Sequence, residues 1–360
     1  MAKDGRTVLI VGAGPTGLTA GLELARLGVR VEIIDRREGG STLSRAVGIN
    51  PRSLHLLEAS GVTSRLLHEA VPIRSVQFFR QELAWATVPL TSARIRYGRN
   101  EILGLPQDRT ESILRDAFLA AGGRLRYGVE LARLENGEKR AIAHTSGGEE
   151  IPSDFLVGAD GIRSTTRDAV GIRSHGYDLD EQWSIADVNL DHWESPTALS
   201  LCLMSRGKVA VVVPLGGERY RLVSNTSEVL TDIEMPLRVT KIRRQSSFKI
   251  RVAHVEKYHL GRVFLAGDAA HSHSPVGGRG MNLGIADAAD FAACLVEGRL
   301  SEYGRRRSQE AAATISGSER MRRLISSPNP VVRSLLLGGL KTASWSRWIS
   351  ARLAGRFLNG

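Results

Sequence analysis

Residues 262–282, RVFLAGDAAHSHSPVGGRGMN, place a carboxylate directly after an apolar run. The run at 263–266 is typical of a buried strand, and Gly267 allows the chain to turn where that strand ends. Ligands of open α/β sheets bind outside the carboxyl ends of the strands. Asp268 is therefore placed to accept hydrogen bonds from a polyol chain.

The glycines that follow clear a surface for a flat ligand. Gly277, Gly278 and Gly280 carry no side chains, and they lead into Met281, Asn282 and an alanine-rich helix. Backbone N–H groups and a helix N-terminus would face this surface. We expect an oxygen-bearing ligand that can carry negative charge.

A second glycine-rich turn lies near the N-terminus. It reads GAGPTG and contains Gly12, Gly14, Pro15, Thr16 and Gly17. The turn stands between a predicted strand at 7–11 and a predicted helix, and Asp35 ends the next apolar run. This spacing favours a dinucleotide, with pyrophosphate at the helix N-terminus and Asp35 accepting from ribose hydroxyls. By itself, the motif does not separate NAD from FAD.

A third motif, GADGIRS at 158–164, follows a predicted strand at 155–157. Ser164 is placed to cap a helix that begins near Thr165. Asp160 stands directly before a glycine, a pair that is typical of a turn. Two interpretations stay open. The motif either has a purely structural role or shapes the groove that holds the dinucleotide.

The elements that position these motifs follow an α/β pattern. A strand, a helix ending at Gly28 and a second strand at 29–34 make a βαβ opening. Further helices are predicted from Pro51 and over 110–121, a strand at 124–133, and a hairpin through Asn136 and Gly137. Strand-like texture dominates 182–251, and the chain after Gly280 is mostly helical.

Composition limits the class of protein. The 360 residues are 42% hydrophobic and 24% charged, which is ordinary for a globular protein of about two domains. Cys202 and Cys294 lie in unrelated segments, so we expect no disulfide scaffold, no metal site and a reducing cytoplasmic location. His271 and His273 have no carboxylate or cysteine spacing that would complete a metal site.

Most of the net charge of +11 lies near the C-terminus, because residues 301–360 hold eleven Lys or Arg and three Glu. A solvated basic face explains this best. Contact with an anionic membrane is the alternative, since Trp345, Trp348, Leu353 and Phe357 accompany the charges. We expect no nucleic-acid partner and no transmembrane helix.

The order of these motifs resembles that of the para-hydroxybenzoate hydroxylase family of FAD-dependent aromatic monooxygenases. The motifs are, in order, GxGxxG with Asp35 and Arg36, Arg45, the LPQ segment ending at Gln107, GADGIRS, and GDAAH with Pro275 and GGRGMN. The resemblance covers roughly residues 5–300. One departure is Ser274, where many relatives have a second proline.

The resemblance implies an α/β fold with a Rossmann-like FAD-binding domain, an inserted β-rich substrate domain and C-terminal helices. The expected FAD-binding domain is discontinuous and comprises 1–71, 101–181 and 252–325. The substrate domain comprises 72–100 and 182–251. Residues 326–360 would form a basic amphipathic helical segment.

It also implies roles for residues at the adenosine end of FAD. Gly12, Gly14 and Gly17, with Pro15 and Thr16 between them, would hold the pyrophosphate. Asp35 would bind the adenosine ribose, while Arg36 and Arg45 would lie at the adenine side and the phosphates. Leu131 would contact adenine through its backbone.

At the flavin end, the resemblance assigns Gln107 to the ribityl or phosphate region and Asp268 to a ribityl hydroxyl. Pro275 would lie beside the flavin ring. Asp268 and Pro275 are the catalytic candidates. The backbone of Gly278, Gly280, Met281 and Asn282 would meet the pyrimidine edge. Asp160 belongs to a motif associated with both FAD and the nicotinamide cofactor.

By the same resemblance, NADPH or NADH reduces the flavin as a transient reductant, and O2 adds at C4a. The hydroperoxide then hydroxylates an aromatic substrate, which is phenolic, polyketide-like or a quinone precursor. The alternatives are a reductase or epoxidase of an isoprenoid lipid and a flavoprotein without turnover. Substrate residues stay open among six candidates in the β-rich insert, namely Trp183, His192, Trp193, Arg219, Tyr220 and Arg221.

Overall fold

The computed structural model describes residues 5–41, 46–80 and 82–359. Its helices are α1 (Pro15–Arg26), α2 (Pro51–Leu56), α3 (Val62–Glu69), α4 (Gln107–Ala120), α5 (Thr165–Ala169), α6 (Val229–Asp232), α7 (Gly280–Val296), α8 (Leu300–Ile325), α9 (Pro330–Trp345) and α10 (Arg347–Asn359).

The strands, in chain order, are β1 (Thr7–Val11), β2 (Arg30–Asp35), β3 (Gly48–Ile49), β4 (Val71–Ile73), β5 (Ser75–Arg80), β6 (Leu83–Pro89), β7 (Ile102–Gly104), β8 (Arg124–Tyr127), β9 (Leu131–Asn136), β10 (Ala141–Thr145), β11 (Glu150–Ser153), β12 (Phe155–Gly158), β13 (Ser174–Leu190), β14 (Ala198–Leu203), β15 (Val209–Gly216), β16 (Arg219–Ser224), β17 (Val239–Val255), β18 (His259–Leu260), β19 (Val263–Leu265) and β20 (His271–Ser272).

A six-stranded sheet in the order β18-β19-β12-β1-β2-β8 forms the first layer. The pairs from β19 to β8 are parallel, and only β18 pairs antiparallel within this sheet. Helices α1, α4 and α7 pack together with it around one core, which includes Leu18, Phe118 and Phe291. The opposite face of this sheet packs against the three-stranded sheet β11-β10-β9 through Leu9, Leu134 and Ala143. A parallel sheet with packed helices is the Rossmann-like α/β class that the βαβ opening predicts, so the fold class is confirmed.

An eight-stranded sheet in the order β20-β17-β13-β16-β15-β14-β5-β6 forms the second large layer. Its pairs are antiparallel except β5 with β14. One end of the paired long strands β13 and β17 lies close to the first sheet, because β17 pairs with β20, the short strand that follows the turn at Asp268. The division of the chain into domains stays a prediction.

Local predictions are mostly confirmed, with one correction. The hairpin through Asn136 is present, because β9 and β10 pair antiparallel with Asn136 opposite Ala141. The single strand predicted at 124–133 is wrong: β8 joins the large parallel sheet, whereas β9 belongs to a separate three-stranded sheet. Gly128, with φ of +70°, separates the two strands.

Candidate functional site

The three glycines of the N-terminal turn have different surroundings. Gly12 has φ of +106°, and a Cβ there would lie 2.4 Å from the backbone oxygen of Ala159. A Cβ on Gly17 would lie 1.9 Å from the oxygen of Gly12. Gly14 has nothing within 4 Å of its Cβ position. Two glycines are thus required by packing, and Gly14 leaves a bare surface at the N-terminus of α1, where an anion is favoured.

Asp35 ends β2 and is only 7% exposed. Its Oδ2 accepts hydrogen bonds from the Ala13 N–H at 2.6 Å and from Arg37 Nη2 at 2.9 Å. Its Oδ1 accepts from the backbone N–H of Arg37 at 2.8 Å and from Arg37 Nε at 3.0 Å. Burial raises the pKa of this carboxyl, but the hydrogen bonds from Arg37 and Ala13 outweigh it and hold the pKa below its ordinary value.

Arg37 is a site residue that the sequence reasoning missed. Its Nη1 also lies 3.4 Å from Glu111 Oε2 on α4. A carboxylate offers about four acceptor positions, so ribose hydroxyls reach Asp35 only when Arg37 turns part of its guanidinium away. The signal was present in the sequence, since two arginines follow Asp35 directly.

A cavity of about 280 Å³ brings most of the predicted adenosine-end residues together. Of the predicted residues, its lining includes Gly12, Gly14, Asp35, Arg36, Gln107, Leu131 and Asp160. Residues that were not predicted also line it, among them Arg37, Ser41, Glu111 and Arg163. The predicted Arg45 lies outside the described residues. The bare glycine, the helix N-terminus and the three arginines of the lining, Arg36, Arg37 and Arg163, fit the nucleotide end of FAD.

The side chains of Gln107 and Arg36 already have partners here. Gln107 Nε2 donates to Glu111 Oε1 at 2.8 Å, and its Oε1 accepts from the Ala46 N–H at 3.2 Å. The Arg36 side chain is 58% exposed and lies 3.9 Å from Glu130. Gln107 therefore holds the backbone at Ala46, while the exposed Arg36 side chain has room to move towards a ligand.

Asp160 has a clear structural role. Its Oδ1 accepts from Ser164 Oγ at 2.5 Å, and its Oδ2 accepts from the N–H and the hydroxyl of Thr166 at 2.9 and 3.0 Å. Ser164 Oγ in turn accepts from the Arg167 N–H at 2.9 Å, so the predicted cap of α5 is confirmed. Burial raises the pKa of Asp160. The motif makes a rigid turn that borders the cavity.

Asp268 is exposed and lines a second cavity, of about 600 Å³. Gly267 has φ of +62°, and a Cβ there would lie 2.5 Å from Thr16 Oγ1. The turn predicted after β19 is therefore confirmed, and it packs on the first turn of α1. The GADGIRS turn lines both cavities, with Asp160 on one and Ile162 on the other.

The glycine loop before α7 has the expected bare backbone. Gly277 and Gly278 have φ of +90° and +62°, and the Gly278 N–H donates to the Pro275 oxygen at 2.9 Å. Helix α7 begins at Gly280, so Met281 and Asn282 lie in its first turn. Their N–H groups have no partner within a helix, which leaves them available to a ligand.

The Asn282 side chain, by contrast, is fully used inside the protein. Its Oδ1 accepts from the Asn50 N–H at 2.9 Å and from Ser53 Oγ at 2.8 Å. Its Nδ2 donates to the oxygens of Gly48 and Gly278 at 2.8 and 2.9 Å. Asn282 thus holds the glycine loop against β3 and α2.

A buried ionic network supports this region from behind, and the sequence reasoning missed it. Asp287 is fully buried and lies 2.6 Å from both His271 Nε2 and Arg307 Nε. It also accepts from the Gly267 N–H at 2.8 Å. Arg307 Nη1 also donates a hydrogen bond to Glu310 Oε2 at 2.6 Å. An acidic residue within the apolar pattern LGIADAADFAA was the signal that could have found it.

The six substrate candidates separate by burial. His192 and Arg219 are exposed, Trp193 is partly buried against Phe79, and Trp183 and Tyr220 are buried. Arg221 is 0% exposed. It binds both oxygens of Asp187, at 2.7 and 2.8 Å, and donates to the Ala46 oxygen at 3.0 Å. Arg221 therefore connects the second large sheet to the backbone of Ala46.

The apolar side chains of the C-terminal helices also differ in burial. Leu353 and Phe357 pack into an apolar cluster with Phe78, whereas Trp345 and Trp348 are 78% and 70% exposed. Within the described ranges, none of the helices is long and apolar enough to cross a membrane. Nor do the described His, Cys, Asp and Glu side chains form a group of three or more that could bind a metal ion.

Comparisons with known proteins show the family. The sequence profile of the family described as FAD binding domain matches residues 6–315. The chain is 33% identical to 6-methylpretetramide 4-monooxygenase of Streptomyces rimosus, over 99% of this chain and 69% of the relative.

Solved structures give the same result for the fold. That of p-nitrophenol 4-monooxygenase from Pseudomonas putida DLL-E4 superposes with a TM-score of 0.88 at 20% identity, over 99% of both chains. Anhydrotetracycline hydroxylase from Streptomyces rimosus superposes with a TM-score of 0.79 at 26% identity, over 99% of this chain and 76% of that one.

Proposed function

Because the chain belongs to the FAD-dependent aromatic hydroxylase family, we propose that it hydroxylates a polycyclic phenol of the polyketide type. As a member, it is an FAD-dependent monooxygenase that uses NAD(P)H and O2. The similarity to 6-methylpretetramide 4-monooxygenase, which extends over 99% of this chain, carries the proposal of substrate class.

The surroundings of Pro275 support a large apolar substrate. The next residue, Val276, packs against two apolar clusters. One contains Phe78 and Leu201 from the second large sheet, and the other contains Trp183. A fused aromatic ring system buries area against walls of this kind, and burial contributes about 25 cal/mol per Å².

Bound FAD would supply the redox chemistry, taking electrons from NAD(P)H and activating O2. We propose that Gly14 and the N-terminus of α1 hold its pyrophosphate and that Asp35 holds its adenosine ribose. Asp268 would hold the ribityl chain at the second cavity. The free N–H groups of Met281 and Asn282 would favour negative charge on the flavin, by about 0.5 to 2 kcal/mol.

The test begins with the bound chromophore and then follows oxygen. The purified chain should release FAD on denaturation, and it should consume NAD(P)H and O2 when given 2-naphthol or 1,8-dihydroxyanthraquinone. Mass spectrometry should find product with one added oxygen. NAD(P)H oxidation that yields only hydrogen peroxide with every phenol, together with turnover of an isoprenoid lipid, would favour the reductase or epoxidase alternative instead.

We further propose that Trp345 and Trp348 contact an anionic membrane surface. Lys341 Nζ lies 5.6 Å from the centre of the Trp345 ring, and the Arg352 guanidinium lies 5.2 Å from that of Trp348. Exposed tryptophans beside cations are typical of interfacial helices. Phosphatidylglycerol vesicles should sediment the protein but not a W345S/W348S variant. Equal sedimentation of both proteins, or of neither, would refute this contact.

A further inference from the structure

Five buried polar atoms without a hydrogen-bond partner among the described residues lie around the loop that contains Pro275. They are Trp183 Nε1, His273 Nε2, Ser274 Oγ, Ser318 Oγ and Glu319 Oε1. Val276 of the loop packs with Trp183 and with Ile315, which lies one turn before Ser318 on α8. Roughly 90% of buried polar groups have a partner, so this concentration indicates where a ligand's polar groups are received.

His273 has the clearest orientation of the five. Its Nδ1 lies 2.8 Å from the Ser274 oxygen, an acceptor, so Nδ1 carries the proton and Nε2 presents a lone pair. Nε2 lies 4.0 Å from the Cβ position of Gly280, the first residue of α7. Nε2 therefore lies beside the start of α7, where the flavin ring and its substrate are proposed to bind.

The ring at 273 is a hydrogen-bond acceptor rather than a base. Burial lowers the pKa of His273 to about 4, and the charges of His271 and Arg279 act in the same direction. A phenol has a pKa near 10, so a complete proton transfer to this imidazole is strongly unfavourable. A phenolic O–H can still donate to the lone pair without losing its proton.

The charged groups nearby suit an electron-rich ring. Arg279 precedes α7 and is partly buried. Its Nη2 donates to the Arg356 oxygen at 3.4 Å, and in the described ranges no carboxylate forms an ion pair with it. Glu319 on α8 pairs instead with Arg322 at 3.1 Å. A partly buried cation without a carboxylate favours a partner with negative charge density, such as a phenolic oxygen.

We infer that His273 binds the substrate directly: its Nε2 accepts the hydrogen bond of a phenolic hydroxyl and so orients the aromatic ring above the first turn of α7. The inference rests on the proposed function, because it presumes a phenolic substrate. It adds a residue that distinguishes a hydroxylated ring from the same ring without a donor.

Binding of two probes to the FAD-loaded full chain tests this role. 2-Naphthol and 2-methoxynaphthalene differ only in the donor hydroxyl, and fluorescence titration gives both dissociation constants. We expect the wild-type protein to prefer 2-naphthol by about two- to twelve-fold, the range of one neutral hydrogen bond. H273F should lower this ratio to about one by weakening 2-naphthol alone, while H273Q, which keeps an acceptor, should retain much of it.

H254F is the matched control, because His254 is also partly buried but its Nε2 is already 3.1 Å from the Tyr258 hydroxyl. It should leave the ratio unchanged. An equal ratio in wild type and H273F overturns the inference. So does an equal loss of both probes or of FAD in H273F, which indicates packing, or a failure of 2-naphthol to bind the wild type. Because the ratio is measured without turnover, an absence of hydroxylated product counts only against the proposed function.

Discussion

Replacing Asp287 with asparagine should destabilise the protein by about 3 kcal/mol. The substitution keeps one oxygen but puts an amide N–H against His271 or Arg307, both of which lie 2.6 Å from the carboxylate. Arg307 is 3% exposed, and breaking a buried ion pair on one side costs about 3–5 kcal/mol. The lower end applies because Glu310 still contacts Arg307 at 2.6 Å.

Urea unfolding of FAD-free protein, followed by tryptophan fluorescence, measures this cost. With an m-value of about 3 kcal/mol per M, the midpoint should fall by about 1 M. D290N is the matched control, since it makes the same change on the same helix. Asp290 pairs with Arg306, whose side chain is 46% exposed, so its loss should cost at most about 1 kcal/mol. Equal midpoints for D287N and D290N would refute the importance of the network.

The pH dependence follows from the direction of the shift. Burial would raise the pKa of Asp287, but the charges of His271 and Arg307 and the hydrogen bonds from His271 and the Gly267 N–H lower it below the ordinary value of 3.8. The stabilisation is therefore complete above that value and is lost as the pH falls through the lower folded pKa. The difference between wild type and D287N should therefore shrink as the pH falls below 3.8. A difference that disappears near neutral pH would contradict this assignment.

Two further predictions concern glycines. G12A should unfold at lower urea and lose FAD, because its Cβ would lie 2.4 Å from the Ala159 oxygen at a φ of +106°, whereas G14A should keep the wild-type urea midpoint and weaken only FAD binding in a fluorescence titration. G284A should cost about 1–3 kcal/mol by overpacking, since its Cβ would lie 2.2 Å from Thr16 Oγ1. The added change T16A should restore most of that stability in urea unfolding, because it removes the contacting oxygen, and a strictly additive double variant would show that the contact is not the cause.

The parts that the sequence predicted are those in which a short segment determines its own geometry. The positive φ of Gly267 and the cap at Ser164 follow from a few neighbouring residues, and so does the start of α7 after the glycine loop. Helix α4, expected from Thr110, begins at Gln107, because Pro106 is compatible with the position just before a helix. These differences of a few residues do not move the site.

What the sequence could not predict depends on partners far apart in the chain. The Asp287 network joins β20, α7 and α8, and the Arg37 contact joins the end of β2 to α4. No periodicity identifies which buried arginine will meet which acid. The same limit applied to the six substrate candidates: Arg219 and Arg221 lie two residues apart on one face of β16, yet Arg221 is buried on Asp187 while Arg219 is exposed.

The first turn of α1 gives the strongest physical reason for one extended ligand across both cavities. The Ala13 N–H, just before that turn, is bonded to Asp35 at 2.6 Å. Thr16, within it, is in close contact with Gly267, the residue before Asp268. The two carboxylates therefore both lie close to the helix end proposed to hold the pyrophosphate, in two cavities that the GADGIRS turn lines. A ligand with a central pyrophosphate and a hydroxyl-bearing group at each end satisfies all three positions together, and FAD has that construction.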